Sequence, residues 1–183
     1  LSNKNIEIDS KINAIGRHNA INVTGALAAC LSLNLKLKYL SEYLEKVSFP
    51  KRRLSVHNSY SGALLIDDSY NANPKSMMNS LDELSAGKGK RVFIAGEMLE
   101  LGDEEEFFHL KVCKYAIDKV EEFLCIGDLW NEGLKALGKK GRKFSSKDEL
   151  LNYVSNNVAE NTVIMVKGSR ATGIDYVADK LRR

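Results

Sequence analysis

Apolar positions along the chain fall into two textures that meet near Phe49-Pro50. Over 6–15, Ile6, Ile8, Ile12 and Ala14 alternate with polar residues, which predicts a short strand or hairpin. Over 19–40, Val23, Ala26, Leu27, Cys30 and Leu31 recur at helical spacing. A second short helix continues over 39–47, and Phe49-Pro50 stops it. Beyond that point two strands are predicted, at 54–59 and 63–67, with Tyr60-Ser61-Gly62 as the turn between them. A regular alternation follows: helix 74–86 with Pro74 in its first turn, strand 91–95, helix 104–120 and strand 123–126 ending at Gly127. It continues with helix 129–137, a short strand at 143–144, helix 147–156, strand 162–166 and helix 172–181.

Apolar strands alternating with helices of this length predict an α/β fold. The expected architecture is a Rossmann-like, mostly parallel sheet with helices on both faces, preceded by a short, mainly helical piece. In such sheets ligands bind outside the carboxyl ends of the strands. That rule marks the segments after Asp68, after Ala95 and after Val166, which also hold the least ordinary sequences of the chain.

Composition narrows the picture without redirecting it. At 183 residues, 44% hydrophobic and 28% charged, the chain is ordinary for a globular protein of one domain, or one domain plus a piece of another. Lys and Arg total 27 against 24 Asp and Glu, with the signs interspersed, so +3 gives no reason to expect a nucleic-acid or membrane partner. Cys30, Cys113 and Cys125 are far apart, lie in apolar surroundings and lack CxxC spacing. They read as buried thiols of a reducing cytoplasm rather than as a disulfide framework or a zinc site. No apolar run reaches the length of a membrane span, and Leu1-Ser2-Asn3-Lys4 does not read as a signal peptide. The chain starts without Met and reads like the interior of a longer protein, although a processed terminus would look the same.

Four stretches carry candidate chemistry. In Gly16-Arg17-His18-Asn19-Ala20-Ile21-Asn22, Asn19 and Asn22 share a helix face, and paired amides can read an adenine edge. An Asn cap with a satisfied His beside it is the plainer alternative. In Leu65 to Pro74 a strand delivers Asp67-Asp68 and then the polar loop Ser69-Tyr70-Asn71-Ala72-Asn73 to a helix start. A carboxylate there suits ribose hydroxyls, and an Asx-rich turn is the alternative. Gly96-Glu97-Met98-Leu99-Glu100-Leu101-Gly102 follows the next strand, with Met and Leu readable as loop anchors; His109 is a candidate acid or base, although a lone His on a helix is more often structural. Val166-Lys167-Gly168-Ser169-Arg170 ends a strand in a basic, hydroxyl-bearing turn that suits a phosphate or carboxylate, or a plain cap. The chain has neither a Gly-x-x-x-x-Gly-Lys-Ser/Thr loop nor a Gly-x-Gly-x-x-Gly fingerprint, so it carries no phosphate-cradling loop of its own.

In order and spacing these stretches resemble the Mur ligases across nearly the whole chain. Gly16-Arg17-His18-Asn19 with Asn22 is similar to the helix that closes the family's central ATP-binding domain. Arg53 is similar to the arginine entering the C-terminal domain, Asp68 to the acid ending its first strand, and Lys167-Gly168-Ser169 to its last motif. The wording of 67–74 and of 96–102 resembles the branch of the family that adds D-Ala-D-Ala. Glu97 stands where Asp is commoner, and Lys51-Arg52 stands where Pro-Gly is usual.

The resemblance implies residues 1–50 as the end of the ATP-binding domain and 51–183 as the C-terminal Rossmann-like domain. It implies a cytoplasmic, monomeric, ATP- and magnesium-dependent ligase of peptidoglycan precursor synthesis. That enzyme joins D-Ala-D-Ala to UDP-N-acetylmuramoyl-tripeptide through an acyl phosphate. Asn19, Asn22, Arg53 and Asp68 would serve ATP, and Asn71, Asn73, Lys167, Ser169 and Arg170 the dipeptide. Magnesium would be bound mainly outside this stretch, which by itself is expected not to turn over ATP. Two other readings stay open: a stand-alone peptide- or nucleotide-binding module, and another amide ligase of the same superfamily.

Overall fold

The computed structural model describes residues 2–3, 6–7, 10–12 and 15–183. The chain divides into two units, Leu1–Leu54 and Ser55–Arg183. In the first, β1 (Ser2–Asn3) pairs antiparallel with β2 (Ile6–Glu7). The alternation predicted over 6–15 is therefore strand only at its start among the described residues; Ile8 and Ala14 lie outside them. Helix α1 (Arg17–Ser32) is followed by α2 (Leu37–Leu44), so the helix expected over 19–40 breaks earlier. The cause is Asn34, which adopts a left-handed φ of 63°. Its N–H donates to the Leu31 carbonyl at 3.0 Å, and Leu35 N–H donates to the Cys30 carbonyl at 3.2 Å. This is a Schellman ending with Asn in place of the usual Gly.

The second unit is built on a six-stranded sheet. Its strands are β3 (Ser55–Asn58), β4 (Leu64–Asp67), β5 (Lys90–Ala95), β6 (Glu122–Ile126), β7 (Gly141–Phe144) and β8 (Thr162–Lys167). They lie in the order β3-β4-β8-β5-β6-β7, with β3 antiparallel to β4 and every other pair parallel. Every residue of β8 is buried, as expected for the central strand of a parallel sheet covered on both faces. The helices are α3 (Pro74–Ser85), α4 (Glu105–Ala116), α5 (Asn131–Leu137), α6 (Lys147–Asn157) and α7 (Asp175–Leu181).

Alternate strand residues pack to opposite sides. Leu65, Val92, Ile94, Leu124, Ile164 and Val166 join Leu150 and Val154 of α6 and Val177 of α7 in one core cluster. Phe93, in register with Phe123 and with Met165, takes the other side, stacking on Phe123 at 5.5 Å. Trp130 packs edge-on against Phe123 and is fully buried.

Two element ends differ from the expectation over 104–181 by three residues or more. Helix α4 stops at Ala116, whose carbonyl accepts from both Lys119 and Val120 N–H, while Lys140 Nζ donates to the freed Ile117 carbonyl at 2.5 Å. The segment after Ser169 is a 3-10 turn (Arg170–Thr172), and α7 begins only at Asp175. The cysteines are free. Burial raises the Cys113 thiol pKa and pushes that of Cys125 up to about 12, so both stay protonated and unreactive near neutral pH. Among the described residues no helix is long and apolar enough to cross a membrane.

Candidate functional site

The chain passes from β4 through α3 to β5, leaving a gap that β8 fills last. The three marked loops, after Asp67, Ala95 and Lys167, therefore emerge from three adjacent strands. The helices that follow β4 and β5, α3 and α4, pack on each other, whereas α7, which follows β8, joins α6 on the opposite face, and such switch points are where open α/β sheets bind ligands. Parallel pairing runs one step past the strands: Asp68 N–H donates to the Val166 carbonyl, Gly96 N–H to that of Lys167, and Ser169 N–H to that of Glu97. Gly168 is required here, because a Cβ on it would lie 2.7 Å from Gly96 Cα.

At the centre is an ion pair. Lys167 Nζ lies 2.6 Å from Asp68 Oδ2 and also donates to the Asn71 carbonyl at 3.0 Å. Ser80 Oγ of α3 donates to the same carboxylate oxygen at 2.7 Å. Both charged residues are buried. Asp67 turns to its own loop, accepting from Ser69 N–H and Ser69 Oγ, as the Asx-turn alternative expects. Ser169, also buried, accepts from Leu99 N–H at 2.9 Å and donates to the Ala72 carbonyl, tying all three loops together. Asn73 caps α3, its side chain accepting from Ser76 N–H while Ser76 Oγ accepts from Asn73 N–H.

These placements sort the sequence candidates. Of the residues expected to face substrate, Lys167 and Ser169 are buried and engaged inside the protein, while exposed Asn73 commits its side-chain oxygen to the α3 cap. The side chain of Asn71 and all of Arg170 are exposed, and the Arg170 guanidinium lies 5.9 Å from the Tyr70 ring centre. Asn71, Asn73, Ser169, Arg170 and Tyr70 line a cleft of 620 Å³, with Leu99, Glu100 and Leu101 among its other lining residues. In the first unit, Asn19 is buried and its Nδ2 donates to the Ile15 carbonyl at 2.7 Å, whereas Asn22 and Arg53 are exposed. The two residues flanking Arg53, Arg52 and Leu54, have left-handed φ values of 63° and 54°.

The loop 96–102 is held by residues that spacing alone did not assign. Met98 is fully buried, and its N–H donates to His109 Nε2 at 3.0 Å. Since Nε2 must accept, the proton sits on Nδ1, which donates to the Glu105 carbonyl at 2.7 Å. The His109 ring meets Trp130 edge-on at 4.4 Å. Glu97 Oε1 accepts from Leu129 N–H at 3.0 Å, bridging this loop to the end of β6. A period-three or period-four search finds His109 on α4, but its partner Met98 is visible only once the loop is folded back.

Burial lowers the His109 pKa below its ordinary value of 6.5, outweighing the Glu105 carbonyl and the nearby Glu97 and Glu105 carboxylates. The unfolded chain then binds this proton more readily than the folded one. The contribution of neutral His109 is present above pH of about 6.5 and is lost as pH falls through the lowered folded value. Nitrogen-detected NMR should show the His109 ring as the Nδ1-H tautomer, with a midpoint below that of a free histidine. A midpoint at or above the ordinary value would contradict the Met98 contact.

Residues 52–170 match the family model described as Mur ligase, glutamate ligase domain, and the chain belongs to the Mur ligase family. It is 32% identical over 97% of its length to the UDP-N-acetylmuramoyl-tripeptide–D-alanyl-D-alanine ligase of Buchnera aphidicola subsp. Baizongia pistaciae, and 33% identical over 97% to that of Bacillus subtilis. It covers 39% and 41% of those proteins, so it spans about two fifths of the curated relatives it matches. Among solved structures, MurF from Acinetobacter baumannii superposes with a TM-score of 0.83 at 28% identity, over 94% of this chain and 39% of that one.

Proposed function

We propose that this chain is the dipeptide-facing part of an ATP-dependent ligase that joins D-Ala-D-Ala to UDP-N-acetylmuramoyl-tripeptide in peptidoglycan precursor synthesis. The observation that carries this is the cleft of 620 Å³ at the meeting point of the β4, β8 and β5 loops, in a chain whose relatives bear that name along nearly its whole length. In this reading residues 1–50 end the ATP-binding domain and 51–183 form the C-terminal domain.

The nucleotide would supply a phosphoryl group that activates the tripeptide carboxylate. Of the four residues assigned to it, Asn22 and Arg53 have the exposure a ligand contact needs. Asn19 serves through its helix start, and Asp68 serves by holding Lys167. Magnesium would be bound mainly by the part of the full-length protein outside this stretch. On the dipeptide side, Asn71 and Arg170 are the contacts, while Lys167, Ser169 and Asn73 set the loops that present them. A cytoplasmic monomer suits this substrate set.

The test is ADP release by the full-length protein, dependent on both the tripeptide precursor and D-Ala-D-Ala. The 183-residue chain alone is expected to give none. Turnover with glutamate or L-alanine in place of the dipeptide would move the protein to another branch of the family. Turnover by the chain alone would overturn the division of labour between its domain and the rest.

A further inference from the structure

Beside the cleft lies a smaller, more enclosed pocket of 230 Å³ that shares Leu99 and Ala171 with it. Gly96, Gly127, Ile126 and Ile174 give it a small-residue, apolar lining, and two charged side chains reach it: Glu97 and Lys147. Neither the sequence motifs nor the loops described above include Lys147. It is the first residue of α6, half-buried, and among the described residues its side chain forms no hydrogen bond or ion pair. Its Nζ lies against Gly173, where an added Cβ would come within 2.7 Å of it. Gly173 has a φ of 62°, so the turn both needs a glycine and leaves room for the ammonium.

The start of α6 is already satisfied without Lys147. Ser146 Oγ accepts from Glu149 N–H, and the Glu149 carboxylate accepts from Ser145 N–H and Oγ. Lys147 also lines an adjoining outer cleft of 840 Å³, together with Asp148, Asp175 and Asp179. Asp148 accepts from Tyr176 Oη at 3.3 Å. On the inner side, Glu97 is fixed through Oε1 by Leu129 N–H. One fixed carboxylate and one ammonium without a partner on the same small apolar pocket match a zwitterion with small side chains.

We propose that Lys147 is a specificity-determining residue that receives the C-terminal carboxylate of the incoming dipeptide. This rests on the dipeptide reading above. A charge-assisted bond to a half-buried ammonium is among the stronger single contacts a small ligand can make. A free amino acid carries the same pair of charges, so the experiment separates the two.

The test is steady-state kinetics of the full-length ligase with D-Ala-D-Ala and with its C-terminal amide, in wild type, Lys147→Gln and Lys147→Arg. Wild type is expected to prefer the acid, and Lys147→Gln to raise KM for the acid roughly 10- to 100-fold. The same variant should leave kcat and the KM for the amide nearly unchanged. Lys147→Arg should restore most of the preference, and an unchanged urea midpoint should show that each variant folds. An acid-to-amide preference that survives Lys147→Gln, or an equal rise in KM for both, overturns the proposal while the functional reading stands. Absence of D-Ala-D-Ala turnover in wild type sinks that reading and this one with it. Inhibition by D-alanine as strong as by the dipeptide, and lost in Lys147→Gln, would reassign the pocket to a single amino acid and overturn the dipeptide form.

Discussion

Lys167→Met is expected to destabilise the second unit by about 3–5 kcal/mol, the range for removing one partner of a buried ion pair. The variant takes the ammonium away from the buried Asp68 carboxylate, which keeps the Ser80 hydroxyl, and it removes the donor to the Asn71 carbonyl. The double variant Lys167→Met with Asp68→Asn should be less destabilised than the sum of the single changes, because each single change already breaks the Lys167–Asp68 pair. Urea denaturation of the three variants measures both quantities. The outcome also decides the role of Lys167. A loss under about 1 kcal/mol is the range of solvated surface pairs, and it would mean that the ammonium is available to a ligand after all. A loss in the expected range fixes it as the tie between β8 and the 68–71 loop, with Arg170 and Asn71 left as the groups that meet substrate.

Gly127→Ala is expected to cost about 2–4 kcal/mol, combining a backbone term and a lost hydrogen bond. Gly127 has φ 112° and ψ 157°, a region that residues with a Cβ rarely enter. An added Cβ would also stand 2.1 Å from Glu97 Cδ, so the Glu97 side chain must leave and release Leu129 N–H. Adding Glu97→Ala should recover the steric part and keep the backbone part, so the double variant should be less destabilised than the sum of its parts. Strict additivity in urea midpoints would show that Glu97 does not pack against Gly127. The consequence for function is direct, since the displaced carboxylate lines the smaller pocket.

The elements were legible because their patterns are local. Val163 to Val166 reads as a strand buried on both faces, and Pro74 behind Asn73 reads as a helix start, whatever the rest of the chain does. Endings were less legible: Asn34 ends α1 through a left-handed φ that its side chain tolerates but does not announce. The site was legible as three loops but not as roles. Lys167 and Ser169 are polar residues at a strand end, a description that fits a ligand contact and an internal tie equally well. The difference depends on burial, and burial depends on which strands are neighbours.

By itself, then, the sequence determined the parallel α/β class, the loops that matter and the family, because hydrophobic period and motif spacing are properties of contiguous residues. Only the tertiary structure decided that β8 inserts between β4 and β5, bringing Asp68 and Lys167 together from 99 positions apart. The same insertion joins Ser169 to Leu99 and sets Lys147 beside a pocket that also holds Glu97. Contacts of that separation carry no local signal, since each partner satisfies its own segment's pattern whether or not the other is there.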